Sequence, residues 1–489
     1  MKASADFFRS VRKGSLRLCA FARESALVTR TSHGQGLSRE ELVRLDDAHV
    51  WHPFTPHSVY RDESPLMVVA GDGNYLIDAD GRRYLDGVAS LWCNLFGHRR
   101  PEIDAAIVDQ LGRIAHSTFL GNASAPAVTL AARLIALAPE SLTRVFYSDN
   151  GSTAVEVALK IALQFWQQHD GGRDRQRTKF VTLGNAYHGD TVGAVSLGGI
   201  PLFHERYGPL LFETIRAHSP YCYRCPLGFA PESCQTECAA DLERLIVENG
   251  DRIAAVILEP GVQGAAGMIP LPDGFLRRAA DAARRVGALL ILDEVAVGFG
   301  RSGSMFACER ERVEPDMLCL AKGLTGGYLP MSATLTTERI FEAFLGNPAD
   351  GRTFFHGHTY TGNQLAAAAA HATLDIFERE RVINRIQPII ARLQTELERL
   401  RDHPHVGDIR RFGLAAGVEL VADRTTKAMF PSSERRGMKV CMAARDSGVF
   451  LRPLGDTIIL MPPLSISVDE IVTIVDALED GIHRVCPVA

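Results

Sequence analysis

Short apolar runs recur at residues 144–148, 179–183, 254–258, 288–292 and 317–321. Each is too short for a stable helix, and the runs at 254–258, 288–292 and 317–321 are too uniformly apolar to leave one face in water. Stretches with helical spacing lie between most of them. One begins after Asp149-Asn-Gly-Ser152 and runs to about Gln168, and another spans 274–286. Strand–helix–strand alternation admits few folds, because right-handed crossovers place helices on both faces of a mostly parallel sheet. The expected class is α/β.

The flanks read differently. Ser38 with Glu41 three residues on is a helix-capping pair, so a helix is predicted over 38–48. Pro53 and Pro56 keep the Trp51-His-Pro-Phe-Thr55 segment extended. Tyr75-Leu-Ile-Asp and Arg83-Tyr-Leu read as strands joined by the Asp80-Gly81 turn. Asp78 and Asp80 lack the later acidic positions of a calcium loop. After residue 363 comes an alanine-rich helix, then an amphipathic one to about Arg401, then shorter mixed segments. The organisation expected is an N-terminal extension over 1–38, a large domain over 96–365, and a smaller α+β domain from 39–95 with 366–489.

The 489 residues suffice for two or more domains. A formal charge of -5 gives no reason to expect nucleic acid or an anionic membrane as partner. No apolar run reaches the roughly 18 residues of a membrane span. Ten irregularly spaced cysteines fit reduced thiols in a cytoplasmic compartment. Residues 1–36 carry Lys2, Arg9, Arg12, Lys13, Arg17, Arg23 and Arg30 against Asp6 and Glu24. That suits an organelle transit peptide, a disordered extension, or an early start codon.

Chemistry concentrates at strand ends. Lys322 follows the 317–321 run and opens a glycine turn, which makes it a candidate Schiff-base lysine or else a solvated loop residue. Asp293 ends the 288–292 run, where a buried carboxylate requires a partner such as a pyridinium N–H. Gly151 and Ser152 at a helix start form an anion site or an ordinary cap. Tyr187, in Tyr-His-Gly-Asp-Thr191, offers a ring for a flat cofactor. His356-Gly-His-Thr359 is a second phosphate contact or a loop. No nearby carboxylate completes a metal site with its histidines, so no metal is expected there. Arg452, held by Pro453, suits a carboxylate. Cys222-x2-Cys225-x8-Cys234-x3-Cys238 has zinc-like spacing, with free thiols or an occasional disulfide the plainer reading.

These residues, in this order, resemble the class III or ω-aminotransferases, enzymes of pyridoxal-phosphate fold type I, from about residue 40 onward. Trp51-His-Pro-Phe-Thr, Asp86-Gly-Val-Ala-Ser-Leu-Trp92, Tyr187-His-Gly-Asp-Thr, Val262-Gln-Gly264, Phe306-Ala-Cys-Glu309, Arg452-Pro-Leu-Gly and Met461-Pro-Pro463 resemble the diaminopelargonate aminotransferases of biotin synthesis. The resemblance implies pyridoxal 5'-phosphate as cofactor, linked to Lys322. Asp293 would face the ring nitrogen, Tyr187 would lie over the ring, and Gln263 would lie near its hydroxyl. Gly151 and Ser152 would hold the phosphate, joined by Thr359 and the His358 backbone of the neighbouring subunit of a homodimer. Arg452 would take the carboxylate of 8-amino-7-oxononanoate, with Gly357 in the same pocket. Phe54, Leu91 and Trp92 would line the donor side. Phe54 replaces a usual tyrosine, Leu91 a usual tryptophan and His358 a usual proline, so the implied donor is S-adenosylmethionine or lysine. Another ω-aminotransferase and an aminomutase are the alternative activities.

Overall fold

The structure is a computed structural model that describes residues 37–487. The expectations for residues 1–36 lie outside the described residues. The described residues divide into two compact units, residues 37–71 with 76–83, and residues 72–75 with 84–487.

In the first unit a helix spans Arg39–His49. Ser38 Oγ accepts from Glu41 N at 3.2 Å, and the Glu41 carboxylate accepts from Ser38 N at 2.8 Å. This reciprocal pair satisfies two of the donors that every helix start leaves open. Asp46, on the same helix, accepts from the His52 ring at 2.9 Å and from the Tyr60 hydroxyl at 3.1 Å. The turn at Gly81 closes on Asp78, whose carboxylate accepts from Asp80 N and Arg82 N at 3.0 and 2.9 Å. Asp78 is thus spent on the hairpin.

The second unit is built on a seven-stranded sheet. Its strands are β1 (Leu142–Ser148), β2 (Lys179–Leu183), β3 (Ile215–Ala217), β4 (Ile253–Leu258), β5 (Leu289–Asp293), β6 (Met317–Leu320) and β7 (Ser332–Thr337). Their order is β1-β7-β6-β5-β4-β2-β3. Only β7 pairs antiparallel with its neighbours. The central strands β4, β5 and β6 are buried at every residue, as a sheet covered on both faces requires. Alternate residues face opposite cores. Ile257, Ile291 and Cys319 pack with Val155, Ala158 and Phe165 of helix α1 (Gly151–Gln168). Leu258, Leu290 and Leu320 pack with the face that holds α2 (Phe275–Val286) and α3 (Gln364–Arg379). Strand β7 reads as polar in sequence but is buried. Thr334 Oγ1 donates to the Ala154 carbonyl at 2.8 Å and Ser332 Oγ pairs with Ser148 Oγ at 2.7 Å, so its hydroxyls are satisfied inside the core.

Toward the C-terminus four antiparallel strands form a second sheet: β8 (Val406–Arg411), β9 (Ala416–Leu420), β10 (Arg452–Leu454) and β11 (Thr457–Leu460), in the order β8-β9-β11-β10. Helices α4 (Arg436–Asp446) and α5 (Val468–Val485) bury Val440, Ala444, Ile471 and Val475 in the same core.

Candidate active site

The parallel strands end at one edge of the sheet, which in open α/β folds is where ligands bind. Asp293 ends β5 and is paired in register with Cys319 of β6. Glu294 N donates to the Cys319 carbonyl at 3.0 Å and fixes the two strand ends side by side. Lys322 follows β6 and opens a single 3-10 turn, Lys322–Thr325, with φ at +45°. A left-handed lysine costs about 1–3 kcal/mol and persists only where its surroundings impose it. They do so here through Gly327 (φ +85°), where a Cβ would stand 2.6 Å from the Cys93 carbonyl oxygen. The turn is therefore clamped against the 86–93 loop.

Burial pushes the Lys322 amine down from its usual value, and Arg301 adds to that. Asp293, Cys93 and Glu259 pull the other way. Among the described residues no carboxylate pairs with Lys322; its Nζ lies over the Trp92 ring, 5.0 Å from the centroid. An amine desolvated enough to be held toward its neutral form is a nucleophile and a proton carrier. Asp293 is 5% exposed. One of its oxygens accepts from Val295 N at 3.0 Å and the other meets His188 Nδ1 at 2.8 Å. A carboxylate has about four acceptor positions, so Asp293 retains capacity for a further N–H.

The start of α1 forms a cup. Asn150 caps it through Thr153 N at 3.1 Å, leaving Gly151 and Ser152 without intrahelical partners for their N–H groups. A Cβ on Gly151 would lie 2.5 Å from Val295 Cγ1. Gly189 presses on Ser152 from the other side, and Ser152 Oγ accepts from Asp190 N at 3.0 Å. Converging N–H groups, a hydroxyl and a helix dipole make an anion site.

Tyr187 and Trp92 supply aromatic surface. The Tyr187 hydroxyl donates to Asp190 at 2.9 Å, and its ring lies nearly parallel to His204, 14° apart with centroids at 6.3 Å. Burial and Asp190 raise the Tyr187 phenol well above its usual range, so it stays protonated. Trp92 is buried, whereas Leu91 is exposed. Ala89, Ser90 and Trp92 all have positive φ, from +48° to +67°. Asp86 imposes this path, accepting from Val88 N, Ser90 N and Ser90 Oγ at 3.3, 3.0 and 2.8 Å. Arg452 is exposed and lies directly across the ladder from Ile459, which packs in one cluster with Trp92. Side chains opposite each other on adjacent strands share a face, so Arg452 is on the Trp92 side of its sheet. Phe54 lies in the first unit, exposed, with φ at +50°.

His358 Nδ1 meets Asp149 Oδ2 at 2.8 Å, just before the α1 cup, and the Thr359 carbonyl accepts from the His116 ring at 2.8 Å. Gly357 lies against Leu120. Gln263 is buried, with its amide donating to Gly184 O at 2.8 Å and accepting from Ser219 Oγ at 2.6 Å. Sequence reasoning passed over three groups. His188 lies in the Tyr187–Thr191 segment, and its partner Asp293 is 105 residues away. Glu259 follows β4 as Asp293 ends β5, so the same strand-end rule would have found it. Burial and Asp293 push it up to about 7, against the pull of His188. Arg301 is fully buried, bonded to the carbonyls of Pro462 and Asn94, with burial lowering it to about 10.

Cys222, Cys225, Cys234 and Cys238 are free and line one cavity of about 150 Å³. Among the described residues no group of His, Cys, Asp and Glu is arranged to hold a metal ion, and no helix is long and apolar enough to cross a membrane.

The chain is similar over most of its length to known proteins. An adenosylmethionine-8-amino-7-oxononanoate aminotransferase of Nitratidesulfovibrio vulgaris is 58% identical over 91% of this chain and 82% of its own length. The crystal structure of the enzyme of that name from Methanocaldococcus jannaschii superposes with a TM-score of 0.87 at 46% identity, over 91% of this chain and 99% of that one. A PLP-bound amine transaminase from an uncultivated Pseudomonas species gives 0.84 at 39%, over 89% and 98%. The family profile described as aminotransferase class-III matches residues 58–482, and the chain belongs to that family.

Proposed function

We propose that this aminotransferase converts 8-amino-7-oxononanoate to 7,8-diaminononanoate in biotin synthesis, with pyridoxal 5'-phosphate as cofactor and S-adenosylmethionine or lysine as amino donor. The observation that carries the reading is Lys322, half-buried without a carboxylate partner and standing beside Asp293 at the sheet edge. The residues fit the cofactor: the α1 cup suits its phosphate, and Asp293 keeps a free acceptor position for its ring nitrogen. When bound, the cofactor supplies an electron-withdrawing ring that makes the amine-bearing carbon acidic.

The chain's own groups do the rest. Lys322 Nζ takes the proton from the donor carbon and returns one to the acceptor, its neutral form favoured by burial. Asp293, oriented by His188 and Val295 N, presents a fixed negative charge. Gly151 and Ser152 anchor the phosphate through backbone N–H groups and a hydroxyl. Tyr187 and Trp92 exclude water from the space above Lys322 and narrow it. Arg452 receives the acceptor's carboxylate, with Gly357 beside it. Gln263, held at both ends of its amide, stiffens the wall near the ring hydroxyl. Leu91 faces the donor.

The working unit is a homodimer in which Thr359 and the His358 backbone reach the partner's phosphate cup, while the His358 imidazole stays on Asp149 of its own chain. Exposed Leu111, Ile114, Leu120, Phe355 and Tyr360 support this, since so much apolar surface favours a partner. A second reading, an ω-aminotransferase of other amines, draws on the ω-transaminase of Thermomicrobium roseum, 38% identical with a TM-score of 0.87.

Purified protein loaded with cofactor should form 7,8-diaminononanoate from the keto acid with one of the two donors, followed by mass spectrometry. Lys322→Ala should lower turnover by about 10²–10⁴-fold or more. Full turnover in that variant would overturn the assignment, and turnover of simple amines alone would favour the second reading.

A further inference from the structure

Glu259 has no part in the steps above, yet it joins both aromatic walls. It stands where β4 leaves the sheet and is 7% exposed. One carboxylate oxygen accepts from Tyr187 N at 3.2 Å, and the other accepts from Gly264 N at 3.0 Å. Gly264 is the residue on which Trp92 rests: a Cβ there would lie 3.5 Å from Trp92 Cζ3. Gly264 also begins the tight turn of the Val262–Pro270 hairpin, its carbonyl accepting from Gly267 N and Met268 N, both at 3.1 Å. Tyr187, Glu259, Gly264, Trp92 and Lys322 therefore form one continuous chain of contacts. The two carboxylate oxygens of Glu259 thus bridge the two N–H groups.

We propose that Glu259 is a positioning residue that sets the separation of the Tyr187 and Trp92 walls, and so the width of the substrate slot over Lys322. This rests on the reading of Tyr187 and Trp92 as walls of that slot. A buried carboxyl group bonded to two backbone N–H groups is a stiff tie, because breaking either bond leaves a buried polar group without a partner. Removing one bond lets one wall drift. The effect falls on how well the acceptor is held, more than on the proton transfer at Lys322.

Two variants test it. Glu259→Gln keeps the shape but can accept from only one of the two N–H groups, and its NH2 confronts the other. Glu259→Asp keeps the charge but is one methylene too short to reach both. Each should raise the acceptor's KM tenfold or more while kcat changes less than threefold. Hydrogen exchange on the cofactor-free variants should accelerate at the Tyr187 and Gly264 amides and stay unchanged in β4 and β5. A wild-type KM and wild-type exchange in either variant would overturn the proposal. So would a uniform loss of kcat, KM and thermal stability with exchange rising across the sheet, which is the signature of a merely structural residue. The exchange comparison needs no substrate, so it stands even where the keto acid proves not to be the acceptor.

Discussion

Gly189→Ala tests the anion cup most directly. The added methyl would sit 1.9 Å from Ser152 Oγ, 2.6 Å from its Cβ and 2.8 Å from its Cα. Rotating the hydroxyl relieves only the first contact. Carbon atoms pack at about 3.5 Å, so one backbone segment must retreat by about 1 Å. Gly189 also has φ at +123°, a conformation foreign to alanine. Strain of that kind costs about 1–3 kcal/mol and overpacking a similar amount, so unfolding free energy should drop by about 2–6 kcal/mol. The retreat carries Ser152 away from the phosphate position. Losing one hydrogen bond to a charged group, about 1.5–3 kcal/mol, raises the cofactor dissociation constant roughly 10- to 150-fold. Guanidinium unfolding of the cofactor-free protein and a fluorescence titration with pyridoxal 5'-phosphate measure the two effects. Adding Ser152→Gly removes the offended Cβ and Oγ, so stability should partly return while affinity does not. Wild-type stability and affinity in Gly189→Ala, or recovery of both in the double variant, would refute the reasoning.

Arg452→Ala should raise the KM for 8-amino-7-oxononanoate by at least about tenfold, from one charge-assisted hydrogen bond, with little change in folding because the guanidinium is exposed. An unchanged KM would remove it from the substrate site. Glu294 is fully buried, accepts from Ala307 N and Cys308 N at 2.8 Å each, and burial raises it to about 7. The folded state thus holds this proton more tightly than the unfolded one. Its contribution is full below about pH 4.5, fades as pH rises through about 7, and is on the order of 3 kcal/mol. In Glu294→Gln the fall in stability across that window should be shallower, as equilibrium unfolding from pH 4.5 to 8 would register; parallel curves would contradict it.

Much of this was legible in the sequence for a simple reason. A fully buried parallel strand must be apolar throughout, so the residue at its end is where polarity resumes, and Asp293 and Lys322 announce themselves. Glu259 obeys the same rule, but Pro260 and Gly261 after it read as a plain turn. Strand β7 was missed because Ser332, Thr334 and Thr336 find hydroxyl partners in other elements, a fact no local pattern carries. The path of residues 89–92 was equally hidden. Nothing in Ala-Ser-Leu-Trp calls for left-handed backbone; Asp86 imposes it through hydrogen bonds to the loop itself.

That loop has an implication for protein engineering. Asp86 fixes the course of residues 88–90 through main-chain amides and the Ser90 hydroxyl, so the side chain at position 91 is not needed to hold the loop. Leu91 is half exposed and its φ of 170° is open to any residue. A library varied at position 91 alone should therefore stay folded almost throughout, so amine preference can be screened there at little structural cost.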